Sequence, residues 1–145
     1  MDAARLQIEN FILQKYFPDR YAFVGLGTRN AYLDVGLLSN SNQAYRLRIP
    51  IPSDYPNSVP KVYLTYPKPL YNYSGKKLSD IGANHDLHIL SPDSDGNIQL
   101  CHFKSSNWVP NETTLYLIAL KCLVWINAYE GHKRTGKGIA EYVGD

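Results

Sequence analysis

Between Asp2 and Phe17 the apolar residues Ala4, Ile8, Phe11, Ile12 and Tyr16 recur at intervals of three and four. That spacing predicts a helix with one apolar face, which Pro18 and Asp19 end. Two segments rich in β-branched, aromatic and aliphatic residues follow, 21–27 and 31–38, with Arg29-Asn30 as turn material between them. Asn40 to Gln43 supplies another turn, after which Tyr45, Leu47, Ile49 and Ile51 alternate with Arg46 and Arg48. Alternation of this kind predicts a half-buried strand with its arginines in water. Pro50, Pro52, Pro56 and Pro60 cannot donate ladder hydrogen bonds, so the chain leaves the sheet and returns as a fourth strand over 61–66. One helix followed by a four-stranded antiparallel meander is the expectation for this half.

From Pro67 to Asp95 no period is visible, and Pro, Tyr, Gly, Asn and Asp occur throughout. A segment of that length without regular structure is expected to be functional. Asp95-Gly96-Asn97 is a turn signal feeding Ile98-Gln99-Leu100-Cys101-His102-Phe103. A second helix opens after Trp108-Val109-Pro110, with Asn111 or Thr113 as cap and Glu112 beside its positive end. Leu115, Ile118, Ala119, Cys122, Trp125, Ile126 and Tyr129 form its apolar stripe, which puts Cys122 in the core. Gly131 is expected to end this helix, ahead of a basic stretch, 132–137, and a last apolar fragment, 139–143.

The chain has 145 residues, 44% of them hydrophobic and 19% charged, with a formal net charge of +2. This is the size of a single α+β domain, 1–145, with a core that needs no staple. The charge is too mild to suggest nucleic acid, and no run is long enough to span a bilayer. Two cysteines, in neither case part of a Cys-x-x-Cys pair, argue against a disulfide framework or a zinc knuckle. Reduced thiols in a soluble, cytoplasmic protein are expected, with no metal or other cofactor and no membrane partner.

Cys101 is the strongest candidate nucleophile, because a thiolate can form a thioester that a second nucleophile later attacks. His85 and His88 lie upstream, within reach of its neighbourhood, whereas His102 follows directly and would point to the opposite face of an extended chain. A cysteine-hydrolase pair is therefore poorly supported. Gly131-His-Lys-Arg-Thr-Gly136-Lys137 imitates a phosphate loop in its letters, but a helix precedes it and Gly138 follows it, so the context rules it out.

The ordered set of N-terminal helix, meander, Tyr55-Pro56 with Pro60, Cys101, and Trp108-Val109-Pro110 before a helix resembles the ubiquitin-conjugating enzyme family. More narrowly, Leu100-Cys101-His102-Phe103, Trp108, Trp125 to Glu130 and Thr135-Gly136 are similar to compact bacterial relatives associated with ubiquitin-like conjugation and antiphage (CBASS-type) defence. That resemblance implies a ubiquitin-conjugating-like fold with a long active-site loop and a C-terminal helix. It further implies an acyl transferase whose Cys101 carries the C-terminus of a ubiquitin-like protein or a cGAS-like nucleotidyltransferase, loaded by a ubiquitin-activating-like enzyme, and passes it to an amine. His85, His88 and Asp93 are then candidates to take the proton, and Asn97, Gln99, His102, Asn107 and Trp108 to border the partner's tail. Two departures stand out. Counted from Gly96, the family's cysteine position falls on Gln99; counted from Trp108, it lies one residue from Cys101. The family's His-Pro-Asn is missing, with Asn84-His85-Asp86 and His88-Ile89 as its nearest echoes. A catalytically silent module of the same fold, holding a partner's tail, is the alternative.

Overall fold

The computed structural model describes residues 1–103 and 105–143. Helix α1, Ala3–Tyr16, starts where the Asp2 carboxylate accepts the backbone N–H of Arg5 at 2.7 Å, an N-cap. It does not bury the face that its apolar spacing predicts. Ile8, Phe11 and Tyr16 are 54%, 71% and 51% exposed, while Glu9 and Leu13 are the buried positions. The helix has rolled to place a charged pair inside. Arg5 Nε bonds Glu9 Oε2 at 2.9 Å, Tyr55 OH donates to the same oxygen, and Glu9 Oε1 accepts the N–H of Leu115 at 3.0 Å. Arg5 also donates to the carbonyls of Pro110 and Thr113. Every donor and acceptor here has a partner, which is the condition under which a charge can be buried at all.

Strands β1 (Tyr21–Val24), β2 (Tyr32–Leu38), β3 (Ala44–Pro50) and β4 (Tyr63–Tyr66) form the antiparallel meander, with an irregularity at Arg46/Leu47. Leu33, Val35 and Leu37 of β2 and Tyr45, Leu47 and Ile49 of β3 are buried, as alternation requires. The opposite face carries Arg48, which grips both oxygens of Asp34 at 2.9 and 3.0 Å and lies 4.0 Å from the centre of the Tyr32 ring.

The sheet does not stop at four strands. β5 (Ile89–Leu90) and β6 (Ile98–Leu100) extend it to six, in the order β1-β2-β3-β4-β6-β5. Strands of two and three residues are too short to carry a period, so alternation could not reveal them. Segment 67–95 is likewise not wholly irregular. A Tyr71–Lys77 bridge and a one-turn helix α2 (Leu78–Ile81), anchored by a fully buried Leu78, fold it onto the sheet.

Helix α3 spans Leu115–Thr135. Its cap is Thr114, whose Oγ1 accepts the N–H of Leu117 at 3.1 Å, rather than Asn111 or Thr113. Thr113 is bonded instead to both backbone groups of Val109. All seven residues of the expected stripe are buried. Gly131 does not end the helix: the ring of Tyr142 packs on it, and a Cβ there would sit 3.0 Å from Tyr142 Cζ. The end comes at Gly136, at φ +78°, whose N–H returns to the His132 carbonyl at 2.8 Å. Helix α4 (Ile139–Val143) then packs against α3, with Ile139 buried. Among the described residues no helix is long and apolar enough to cross a membrane.

Candidate functional site

Cys101 follows the last residue of β6, and two neighbouring turns fix its place. On one side Asp93 Oδ1 accepts the N–H groups of Asp95 and Asn97 at 3.0 and 2.9 Å, and Oδ2 takes the Asn97 amide at 2.9 Å. This knot, with Gly96 at φ +79°, aims the chain into β6. On the other side, residues 84–89 form a tight loop in which His88 adopts φ +50° and donates its N–H to the His85 carbonyl. The loop is tied to the helices by Trp125 Nε1 on the Leu87 carbonyl (2.9 Å) and by Ala140 N–H on the Asp86 carbonyl (3.0 Å). Cys101 N–H bonds the His88 carbonyl at 3.0 Å, so β5–β6 pairing continues one step past the strand and sets the thiol beside the loop.

The half-buried Cys101 stands between two clefts. One, of about 600 Å3, is lined by Asn84, His85, His88, Leu90 and neighbouring apolar residues. The other, of about 200 Å3, is lined by His102, Lys121, Val124 and Trp125, again with His88. His85 and His88 are therefore brought to the cysteine, their ring centroids 5.6 Å apart. Cys122 is elsewhere, 1% exposed within the helix stripe, and burial pushes its thiol far up, away from thiolate.

His102 is the surprise. The expectation of opposite faces held for an extended chain, but β6 has ended, and His102 turns inward to line the smaller cleft with Cys101. Its Nε2 lies 2.7 Å from the Pro60 carbonyl, which can only accept, so Nε2 carries the proton and Nδ1 the lone pair. Nδ1 is buried and has no hydrogen-bond partner among the described residues. Burial, aided by the charge of Lys121 and opposed by the Pro60 bond, holds this imidazole below its ordinary range.

The other expected residues fall apart from the thiol. Asp93 and Asn97 line neither cleft, and both are engaged in the turn, with Lys68 bonded to Asn97 Oδ1 at 3.1 Å. Burial would raise the Asp93 carboxyl, but the hydrogen bonds from Asn97 and Asp95 and the charge of Lys68 hold it below the usual range. Gln99 points to the open face of the sheet, opposite Tyr63. Asn107 is exposed in the 3-10 turn Ser105–Asn107. Trp108 is buried; it bonds the Pro56 carbonyl at 2.7 Å and meets the rings of Tyr55 and Phe103.

Sequence reasoning missed Lys121, whose ammonium lies 4.4 Å from the centre of the Phe103 ring at the mouth of the smaller cleft. It also missed the Arg5–Glu9–Tyr55 cluster. For Arg5 and Glu9 the four-residue offset of opposite charges was visible, but that pattern usually marks an exposed helix face. Among the described residues no group of three His, Cys, Asp or Glu side chains could hold a metal ion. Compared with known proteins, the chain matches no family model, no curated protein and no solved structure.

Proposed function

We propose that this protein is a ubiquitin-conjugating-like acyl carrier: Cys101 accepts the C-terminal carboxyl of a ubiquitin-like protein or of a cGAS-like nucleotidyltransferase as a thioester and passes it to an amine. The role in bacterial antiphage defence, and loading by a ubiquitin-activating-like enzyme, follow from the sequence resemblance. The observation that carries the chemistry is the contrast between the two thiols. Cys101 is half-exposed at the junction of two clefts with imidazoles on both sides, whereas Cys122 is sealed in the core. A thioester needs room on both faces of its carbonyl, for the incoming tail and for the attacking amine, and two clefts meeting at one sulfur provide it. Proton transfer from the attacking amine falls to His85 or His88, which border the larger cleft, rather than to Asp93.

The test is intact mass of the protein recovered from cells that also express its genomic neighbours. An adduct that thiol reductant removes, and that Cys101→Ser converts to a reductant-stable ester, is the expected result. Labelling that persists in Cys101→Ala would show the carrier reading wrong; an unmodified Cys101 with a partner that still co-purifies, and full biological activity in Cys101→Ala, would put the silent tail-holding module in its place.

A further inference from the structure

The smaller cleft beside Cys101 contains an amine of the protein's own. Lys121 lies on the solvent side of α3, one turn before Trp125, and both line the cleft with Cys101 and His102. Its ammonium rests over the face of Phe103, 4.4 Å from the ring centre, and Phe103 is two residues along from Cys101. One short piece of chain therefore carries the thiol and the aromatic surface that holds the lysine near it. A lysine side chain is a flexible four-carbon stem, and a cleft of about 200 Å3 leaves it space to swing from the ring toward the sulfur.

We infer that Lys121 is an internal acceptor: an acyl group carried on Cys101 is transferred to Lys121 Nζ, leaving the protein modified by an amide bond on α3. This rests on the carrier function proposed above. The step balances without a co-reactant. The neutral amine attacks the thioester carbonyl, a C–N bond forms, the C–S bond breaks, and Cys101 leaves as thiolate that takes up the proton released by nitrogen. Two features favour the step. The buried His102 ring beside them carries its lone pair on Nδ1 and is uncharged in that state, so it adds no positive charge to a site where an amine must lose one. Nucleophile and carbonyl belong to one molecule, which replaces a bimolecular encounter by a side-chain rotation. The chemical class of the modifying group is any chain ending in a C-terminal carboxyl small enough at its last residues to enter a narrow cleft. The outcome is self-labelling that marks the helix bordering the active cysteine and occupies the smaller cleft beside it.

The probe is a fluorescent peptide ending in Gly-Gly as an alkyl thioester, which charges an accessible cysteine by thiol exchange and needs no activating enzyme. The full chain, Lys121→Arg and Cys101→Ala are each incubated with it and resolved with and without reductant, and the labelled residue is read by peptide mass spectrometry. Wild type should acquire a reductant-sensitive label on Cys101 that converts to a reductant-resistant label on Lys121, at a rate independent of protein concentration. Lys121→Arg should keep the first label and lose about tenfold or more of the second. Charging of Cys101 with undiminished resistant label in Lys121→Arg overturns the Lys121 assignment and leaves the carrier function standing. Resistant label on Lys121 that persists in Cys101→Ala overturns it as well, because the lysine would then react with the probe directly. Failure of Cys101 to charge overturns both.

Discussion

Replacing Glu9 by alanine removes the acceptor of three hydrogen bonds: from Arg5 Nε, from Tyr55 OH and from the N–H of Leu115 at the start of α3. Breaking a buried ion pair by deleting one partner costs about 3–5 kcal/mol. The lower end applies here, about 3 kcal/mol, because Arg5 keeps the carbonyls of Pro110 and Thr113 and its side chain retains 14% exposure. Glu9→Gln preserves shape but exchanges charged for neutral hydrogen bonds and turns an NH2 group toward a donor, a loss of about 2 kcal/mol. For a domain of this size each kcal/mol shifts the melting temperature by about 3–4 °C, so alanine should lower it by about 10 °C and glutamine by about 7 °C. Urea titration followed by tryptophan fluorescence reads the change directly, since Trp108 and Trp125 are both buried. The midpoint should fall while the slope stays constant. A double-mutant cycle of Glu9→Gln with Tyr55→Phe should give a coupling of about 1 kcal/mol. An alanine variant within about 0.5 kcal/mol of wild type would falsify the claim that this buried pair joins α1 to α3.

Three further outcomes follow from the geometry. In the native protein a disulfide-exchange reagent should titrate Cys101 within minutes and Cys122 after unfolding by urea; comparable native rates for the two thiols would contradict their placement. The folded His102 ring resists protonation more than the unfolded one, whose ordinary value is 6.5, so the unfolded state binds more protons below that pH. Stability should therefore be full above it and decline as pH falls beneath it. The loss of urea midpoint between about pH 7.5 and about pH 5 should shrink in His102→Gln, and an unchanged loss counts against a buried neutral ring. Gly136→Ala should destabilise by about 1–2 kcal/mol, because φ is +78° and the new Cβ would lie 3.1 Å from Tyr73 Cδ1; a neutral effect by thermal melting would show that the cap tolerates a side chain.

Helix α3 was legible in the sequence because its buried stripe is purely apolar from Leu115 to Tyr129. Helix α1 was legible as a helix but not in its orientation. Ile8 and Phe11 fit the apolar template better than Arg5 and Glu9 do, and binary patterning cannot register a charged pair that is buried because it is fully hydrogen-bonded. Strands β2 and β3 were long enough to alternate, whereas β5 and β6 were not. Of the candidate site, Cys101 stood out through its turn and its reactive side chain. His85 and His88 were legible as neighbours in sequence, and the tight loop made them neighbours in space. The inward turn of His102 depends on the Pro60 carbonyl 42 residues upstream, and no local signal encodes a contact at that separation. Lys121 reaches the cleft through the rotation of α3 about its own axis, which the stripe fixes in retrospect, since a lysine next to Cys122 lies at the stripe's edge.

The span between Glu9 and Leu115 has a meaning for how the molecule is made. The two residues are 106 apart, and at about 5–20 residues per second a ribosome needs about 5–20 s to deliver the second after the first. During that interval α1, a helix of 14 residues and so marginal on its own in water, has Tyr21 on Asn10 and Tyr55 on Glu9 as partners but not yet α3. One carboxylate oxygen of Glu9 lacks its Leu115 partner while the first four strands of the sheet are made. The clasp between Glu9 and α3 closes only after the start of α3 has left the exit tunnel, so a helix made early is fully secured late.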